Sequence, residues 1–372
     1  MKVSYSLPEY INDLKLEELL SRAPFLSQDI IYISYKKHNH TIEITFSQES
    51  HVDLKVFSET FKSLLKVLQR YKAITPSTIF DNTSDLHLNT EKTDLDLTSK
   101  FYTDFELNIL DTIDYFLMQI ATKYGCLKRK YPSILDKELI DKSGYLKNFP
   151  QNIYALFQIP HNYELIDKVR ENDVSQINPY FQHSNSYLRP CICYHCYSEF
   201  ENKTIDSITI TSQGQCYRNE ISWQRSLSRR EEFLMREIIF IGSKDKVLEI
   251  RENILNDVWN IFNEFGLFGK ITTAKDPFFF YPDLNKGTFQ LLSNTKYELI
   301  VNNIETEDFS IASFNYCEDH LCKKFNIKNK NNEFLHSGCV AFGLDRWVHA
   351  LISHHGKKIT HYPSKLKEKL IQ

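Results

Sequence analysis

The sequence predicts an α+β fold in which helices flank an antiparallel sheet and a small α/β domain precedes it. The first observation is a series of strand-like runs between residues 187 and 343, rich in β-branched and aromatic residues. The second is a small number of long amphipathic helices placed between these runs. Strands grouped in this way are typical of an α+β sheet domain.

The composition is that of a folded chain without a global preference for nucleic acid. Of 372 residues, 42% are hydrophobic and 25% are charged, and 45 Lys and Arg against 48 Asp and Glu give a net charge of -3. The sequence has neither a signal-peptide core nor a run of about 18 apolar residues, so we expect a cytoplasmic protein. In that reducing compartment the eight cysteines should be thiols or metal ligands.

Residues 1–100 are predicted to form the small α/β domain. Residues 16–23 and 56–71 have helical apolar spacing, and the runs IIYISY and TIEITF are strands on either side of a polar turn. The segment after Ile74 is dense in Thr, Asp, Asn and Ser, which is typical of a linker. We place the domain boundary there, so that residues 101–372 form a second domain.

The second domain begins with a long helix and a strand that contains proline. Residues 105–124 place their apolar side chains on one stripe, and Gly125 stands where the helix would end. Pro132 interrupts the following run, CLKRKYPSIL, and proline restricts a strand to a sheet edge, a bulge or an interface. This part of the sheet is therefore expected at an edge or an interface.

A cysteine-rich run, YLRPCICYHCYSEF, covers residues 187–200. Its alternation predicts a strand in which Cys191 and Cys193 share one face while Tyr194 and Cys196 share the other. These thiols cannot all reach one metal without a bend. A local structural zinc site that includes His195 is one possibility. We favour a single thiolate in a site completed by distant residues.

Two strands joined by a basic loop follow, over residues 208–243. Arg218 and Glu220 are expected on one face of the first strand, and Phe233 and Glu237 share a face of the second. Such a set could form a nucleotide pocket, because an Arg pairs with phosphate and an aromatic ring stacks on a base. The alternative is a sheet face linked by salt bridges.

The last part of the chain predicts a helix, further strands and a strand-to-helix turn. The helix covers residues 246–265, the strands are KYELIV and FSIASFNYCED, and the turn lies in HSGCVAFGLDRW at residues 336–347. Gly343 lacks a Cβ, so a flat ligand could approach the backbone, and Arg346 offers a planar cation for a base or a phosphate. The alternative is a core strand followed by a solvated arginine.

With CYHCY, the segment 218–237 and HSGCVAFGLDRW, residues 102–372 resemble the amino acid:[carrier protein] ligases. These are truncated homologues of the zinc-dependent, archaeal-type seryl-tRNA synthetases, in the class II aminoacyl-tRNA synthetase superfamily. The resemblance implies a class II synthetase-like catalytic domain and, because the long helix and the Pro132 strand match motif 1, a homodimer. Nothing comparable is expected for the first hundred residues.

The resemblance implies a metal site and an ATP site. Zinc ligands would be Cys193, Glu237 and Cys339, which leaves one tetrahedral position for the amino group of a substrate. ATP would bind with Mg²⁺, with Arg218 on the α-phosphate and Glu220 on the adenine. Phe233 and Arg346 would cover the two faces of the adenine beside Gly343, and Arg218 and Arg346 would be the catalytic residues.

One strand departs from the pattern of the seryl enzymes. Ser310 occupies the position of a metal-binding Glu while Ser313 is retained, so the sequence does not assign the ligands of Mg²⁺. Four residues are candidates for the substrate site: Lys296, Glu298, Ser313 and Asn315.

The expected function is activation of a small amino acid, Gly or Ala, and its transfer to the phosphopantetheine thiol of a carrier protein. A tRNA ligase is disfavoured because the first domain lacks a long helical pair and the net charge is near zero. A catalytically silent paralogue is disfavoured because the whole set of site residues is retained. An acidic carrier could dock on a basic patch. The candidates are Arg225, Arg229 and Arg230 of the basic loop or Lys357, Lys365, Lys367 and Lys369 of the tail.

Overall fold

The computed structural model describes residues 1–85, 101–276, 278, 284–303 and 307–370. Two compact units divide the chain. The smaller unit comprises Met1–Ile79, Glu220–Arg225 and Thr272–Lys296, and the larger comprises Phe80–Asn219, Ser226–Ile271 and Tyr297–Gln372. The boundary predicted near residue 100 lies outside the described residues.

Strands form three sheets in the described part of the chain. The strands are β1 (Lys2–Ser6), β2 (Ile30–Lys36), β3 (Thr41–Phe46), β4 (Thr78–Asp81), β5 (Leu127–Arg129), β6 (Ile134–Asp136), β7 (Ala155–Gln158), β8 (Gln182–Leu188), β9 (Ile208–Tyr217), β10 (Glu232–Gly242), β11 (Gly269–Thr273), β12 (Lys296–Val301), β13 (Phe309–Glu318) and β14 (His336–Gly343). The large sheet has the order β4-β11-β12-β13-β14-β10-β9-β5, and the small ones have the orders β1-β3-β2 and β6-β8-β7.

Several helices begin at a capping side chain, such as Asn12 before α1 and Asp53 before α2. The helices are α1 (Asp13–Arg22), α2 (Leu54–Arg70), α3 (Asp104–Lys123), α4 (Lys137–Ser143), α5 (Tyr145–Asn148), α6 (Tyr163–Glu171), α7 (Cys193–Glu199), α8 (Lys244–Glu264), α9 (Leu284–Leu292), α10 (His320–Lys324), α11 (Leu344–His355) and α12 (Ser364–Leu370). At the start of α3, Thr103 and Glu106 form a reciprocal capping box. None of the described helices is long and apolar enough to cross a membrane.

In the smaller unit, helices α1 and α2 pack on a three-stranded antiparallel sheet. Strand β3 pairs with both β1 and β2, and its alternate residues Ile42, Ile44 and Phe46 are buried with Phe57 and Phe61 of α2. The predicted helices and hairpin are confirmed, with bounds shifted by a few residues. Strand β1 was not predicted.

In the larger unit, the centre of the large sheet is antiparallel and has two different faces. Strand β10 pairs with β9 and β14, and β14 pairs with β13. One face buries Ile238, Phe240, Val340 and Phe342 in a large apolar cluster with α3, α8 and α11. The other face is covered in part by α7 and carries Glu237 and the cysteines, so the chemistry-bearing side chains lie on that side.

Two local predictions are wrong, and one is confirmed. The Cys193–Glu199 segment is helix α7 and not a strand, because Cys193, Cys196 and Tyr197 have the i, i+3, i+4 spacing that buries one helical face. The run with Pro132 is interrupted there, and its two short strands, β5 and β6, lie at the edges of two different sheets, as expected. Arg218 and Glu220 follow the end of β9 at Tyr217, so they do not share a strand face.

Candidate active site

A cluster of thiols surrounds one buried carboxyl on the face of the sheet that contacts α7. Glu237 lies on β10 and Cys339 on the adjacent strand β14, where the register pairs Glu237 with Ala341 and Ile239 with Cys339. Residues two apart in a strand share a face, so both side chains lie on the same side. Cys193 is the first residue of α7, and Cys191 precedes that helix.

The distances within this cluster are short enough for one metal ion. The Sγ atoms of Cys191 and Cys193 are 3.6 Å apart, and the ligand atoms of Cys191, Cys193 and Glu237 all lie within 4.8 Å of one another. The backbone N–H of Ile192 donates to Glu237 Oε1 at 3.0 Å. Glu237 Oε2 is buried without a hydrogen-bond partner among the described residues.

Cys339 is a neighbour of Cys193 but is not part of the group whose ligand atoms all lie within 4.8 Å of one another. The Nδ2 atom of Asn315 donates to Cys339 Sγ at 3.6 Å and to Ser313 Oγ at 3.1 Å. The β-bulge between Tyr316 and Glu318 contains Cys317, whose thiol also neighbours Cys339. The structure therefore brings the three predicted ligands together and adds two thiols that the sequence analysis did not assign.

Burial and mutual proximity raise the pKa values of Glu237 and Cys193. Burial, with Cys339 nearby, raises the pKa of Glu237 to about 8. The neighbouring thiols of Cys191 and Cys339, together with burial, raise the pKa of Cys193 well above its usual value. A divalent cation would favour the deprotonated forms, so the donor set and the unpartnered Oε2 fit a bound metal.

A buried arginine lies near the cluster, since its charge acts to lower the pKa of Glu237 against the effect of burial. Arg189 is 1% exposed, and its guanidinium donates to the carbonyls of Gln215, Tyr131 and Pro132 at 2.7–2.9 Å. A Cβ at Gly214 would lie 1.9 Å from Arg189 Nη2, so only glycine leaves room for the guanidinium. The sequence analysis missed this contact, although an isolated Gly inside a strand often marks a close approach.

Of the residues predicted to bind ATP, the structure brings Arg218 and Phe233 together. The Arg218 guanidinium lies 5.2 Å from the centroid of the Phe233 ring, and its Nε and Nη2 atoms are 3.4 and 3.3 Å from the Pro190 carbonyl. Phe233 lies on β10 on the same face as Glu237. Glu220 is in the segment Glu220–Arg225, which groups with the smaller unit. The backbone carbonyl of Glu220 accepts from Arg225 Nε at 3.1 Å.

The strand-to-helix turn at Gly343 is confirmed. Strand β14 ends at Gly343 and α11 begins at Leu344. Arg346 Nη1 donates to the Ser310 carbonyl at 2.8 Å, and the nearest atoms that a Cβ at Gly343 would meet belong to the Arg346 side chain, at 3.4–3.7 Å. The buried Asp345 accepts from the Leu234 N–H and the Tyr102 hydroxyl at 2.5 and 2.7 Å, which ties the start of α11 to β10.

The four substrate-site candidates lie on two strands, β12 and β13. Ser313 and Asn315 lie on β13 opposite Ala341 and Cys339, on the same face as the cluster. Lys296 is buried in the smaller unit and pairs with Asp276 at 2.6 Å. Glu298 is half-buried on β12. Ser313 and Asn315 are therefore neighbours of the predicted metal ligands.

Comparisons with known proteins identify relatives. Residues 180–355 match the family model of the tRNA synthetase class II core domain (G, H, P, S and T). Amino acid–[acyl-carrier-protein] ligase 1 of Bradyrhizobium diazoefficiens is 28% identical over 245 residues, 64% of this chain and 74% of that protein. The type-2 serine–tRNA ligase of Methanopyrus kandleri is 23% identical over 283 residues, 69% of this chain and 53% of its own length.

The fold of the whole chain also has a solved counterpart. The structure of M. kandleri SerRS in complex with A. aeolicus tRNASec superposes with a TM-score of 0.67 at 18% identity, covering 99% of this chain and 77% of that one. The predicted class II synthetase fold is thereby confirmed. Since 99% of the chain is covered, the expectation that nothing comparable covers the first hundred residues is wrong at the level of fold.

Proposed function

Because this chain is a class II synthetase homologue similar to an amino acid–[acyl-carrier-protein] ligase, we propose that it activates a small amino acid, glycine or alanine, with ATP and transfers it to the phosphopantetheine thiol of a carrier protein. The observation that carries this proposal is the carboxyl of Glu237, buried among thiols with one oxygen unpartnered. It shares a sheet face with Phe233, on which Arg218 lies.

The proposal assigns a zinc ion to Cys193, Glu237 and Cys339. Thiolate and carboxylate are ligands that zinc accepts, and three protein ligands leave a fourth position open. When bound, the zinc supplies a Lewis acid that takes the unprotonated amino group of the substrate. Asn315, which donates to Cys339 Sγ, would orient that ligand. Selection for an amino group excludes hydroxy acids.

The protein's own cations and rings position the ATP. Arg218 would leave its contact with the Pro190 carbonyl to bind the α-phosphate, and Phe233 would stack on the adenine with Arg346 on the opposite face. Glu220 would accept from the exocyclic amine. The substrate carboxylate then attacks the α-phosphorus and pyrophosphate leaves, while Arg218 and the Mg²⁺ that accompanies ATP offset the developing charge.

Transfer follows from docking a carrier beside this site. Its thiol attacks the activated carbonyl and AMP leaves. Arg225 and Arg229 of the basic loop are exposed, whereas Arg230 lies 4.6 Å from the Tyr102 ring and 3.9 Å from Asp345. We therefore assign docking mainly to Arg225 and Arg229. In the tail, Lys357 pairs with Glu106 and Lys365 with Glu264, which supports a solvated surface there.

A homodimer is part of the proposal. Large apolar side chains on and after α3 are exposed: Leu107 at 45%, Tyr115 at 43%, Leu127 at 48% and Ile134 at 48%. Exposed apolar side chains on the elements that resemble motif 1 support an interface there. Sedimentation at micromolar concentration should show a dimer that Leu107→Glu with Tyr115→Glu converts to a monomer; a wild-type monomer would contradict the assignment.

The decisive experiment compares acceptors. Amino acid-dependent pyrophosphate exchange identifies the substrate, and the same amino acid is then offered with phosphopantetheinylated carrier proteins and with total tRNA. We expect an aminoacyl thioester on a carrier, weakened by Arg225→Glu with Arg229→Glu, and no charged tRNA. Because the SerRS-like fold covers 99% of the chain, tRNA is a necessary arm of the test, and charging of tRNA without transfer to any carrier would overturn the proposal.

A further inference from the structure

The thiol of Cys191 is one more donor than the proposed zinc site requires. The proposed ligands are Cys193, Glu237 and Cys339, yet within the described residues the tightest group of donor atoms is Cys191, Cys193 and Glu237. Cys196, the other neighbouring cysteine of this run, is fully buried in the apolar cluster with Tyr197 and Phe325. Cys191 is therefore the donor whose role is unexplained.

The spacing of the two thiols matches that of two ligands on one ion. Cys191 and Cys193 are free cysteines with Sγ atoms 3.6 Å apart, far longer than the disulfide bond of about 2.05 Å. Two sulfurs bound to one tetrahedral zinc at about 2.3 Å are separated by about 3.8 Å. The observed separation is thus close to the edge of a zinc coordination tetrahedron.

The position of Cys191 makes it the ligand that can leave. Cys193 is fixed as the first residue of α7, and Glu237 and Cys339 are fixed on the central strands β10 and β14. All three side chains are buried. Cys191 is half-buried and precedes the helix. Its side chain can move away from the cluster without a change in the sheet or in α7.

We infer that Cys191 is a fourth, exchangeable ligand of the metal, which closes the site at rest and is displaced by the amino group of the bound amino acid. This inference rests on the proposed function. In the exchange the bond to the Cys191 thiolate breaks as the bond to the amino nitrogen forms. The substrate would bind as its free amine, so the exchange would replace one donor by another with no change in oxidation state. The site then opens only for a ligand that competes with a thiolate.

The test uses Co²⁺ as a spectroscopic probe in the full chain. Thiolate-to-cobalt absorption is recorded together with the metal content of the wild-type protein and of Cys191→Ala, Cys317→Ala and Cys126→Ala. We expect the absorption per cobalt to fall by about one third in Cys191→Ala, because two of three thiolate ligands remain. Cys317→Ala and Cys126→Ala should match the wild type. Cys126 is half-buried and lies outside the cluster, so it is the matched control.

The amino acid that supports pyrophosphate exchange is then added to the same samples. It should lower the wild-type absorption to the level of Cys191→Ala and leave that variant unchanged, and the KM for the amino acid should fall in Cys191→Ala because the competing thiolate is gone. Equal absorption in Cys191→Ala and wild type, or a loss in Cys317→Ala instead, would overturn the assignment. If pyrophosphate exchange is observed but the cobalt absorption does not change in Cys191→Ala, this inference alone is refuted. If the absorption shows three thiolate ligands but no amino acid supports exchange, the proposed reaction alone is refuted.

Discussion

Two adjacent residues of β10, Arg236 and Glu237, are both buried ionisable groups, but they face opposite sides of the sheet and have different surroundings. Arg236 is 6% exposed, and its guanidinium binds both oxygens of Asp114 and donates to Thr211 Oγ1 at 3.0 Å. Glu237 is 1% exposed, and one of its oxygens has no hydrogen-bond partner in the described part of the chain. Arg236 is thus paired with a carboxylate, whereas Glu237 keeps one oxygen without a partner among the described residues.

The difference indicates that Arg236 stabilises the fold, whereas Glu237 has a carboxyl oxygen available to a ligand. A buried ion pair with all its hydrogen bonds made is stable in place, and breaking it leaves a charge in a medium of low dielectric constant. A buried carboxyl with an open oxygen costs free energy in the folded state and persists where a ligand completes it. Arg236 should therefore matter for folding, and Glu237 for metal binding.

The largest expected effect on the structural side is that of Asp114→Ala. It leaves the Arg236 guanidinium buried without its carboxylate, and we expect a loss of about 3–5 kcal/mol in the free energy of unfolding. Denaturant titration measures it. The control is Glu249→Ala, whose partner Lys246 is 53% exposed and which should cost at most about 1 kcal/mol. Equal losses in the two variants would erase the distinction.

The next effect concerns Arg218, a cation on the Glu237 side of β10. Because its guanidinium is proposed to bind phosphate, Arg218→Ala should lower the rate of pyrophosphate exchange by about 10²–10³-fold, the usual cost of losing one group that stabilises the transition-state charge. Metal content should not change. The exposed Arg170 on α6 provides the matched control, Arg170→Ala. Undiminished exchange in Arg218→Ala would remove it from the site.

The third effect is a pH dependence on the apolar side of the sheet. Burial lowers the pKa of His355 to about 4, and its Nε2 atom lies 2.8 Å from the Phe265 carbonyl. Between about pH 6.5 and 4 the unfolded chain binds the proton and the folded chain does not, so stability is present above pH 6.5 and is lost as pH falls, by up to about 3 kcal/mol. His355→Gln should flatten this slope, and the exposed His161→Gln should not.

The smallest expected change in folding free energy is that of Glu237→Gln. Because the pKa of Glu237 is about 8, the metal-free protein at pH 7 already carries a neutral side chain, and the amide should change stability by at most about 1 kcal/mol. Metal analysis should nevertheless show affinity reduced by more than about 100-fold, beyond the range for an outer partner. Cys339→Ala should likewise lose metal. Full metal content in either variant would sink the ligand assignment.

The sequence predicted the long elements well because their periodicity is strong. Helices α2, α3 and α8 and strands β10, β13 and β14 lie within a few residues of the predicted bounds. The failure at α7 has a physical cause: over only seven residues, the helical spacing of Cys193, Cys196 and Tyr197 is too short a signal to exclude a strand. Packing against the sheet decided between the two.

The candidate site was only partly accessible from residue patterns. That Phe233 and Glu237 share a face follows from strand parity and is confirmed. That Cys339 lies beside Glu237 depends on the pairing of β10 with β14, which are about a hundred residues apart in the chain, and local pattern does not specify long-range pairing. That neighbourhood came from the family resemblance. The Arg189 guanidinium occupies the space that a side chain at position 214 would fill. No periodicity in the sequence encodes such a contact.

Strand β14 passes into α11 without a connecting loop, since one ends at Gly343 and the other begins at Leu344. Cys339 on β14 and Arg346 on α11 are therefore joined by regular secondary structure throughout, with no loop between them. Inserting or deleting one residue between them would turn the following helix by about 100° and slide it by about 1.5 Å, which would swing Arg346 and Asp345 away from their partners. Length variation among homologues should consequently be absent from this stretch and accumulate in the loops on either side.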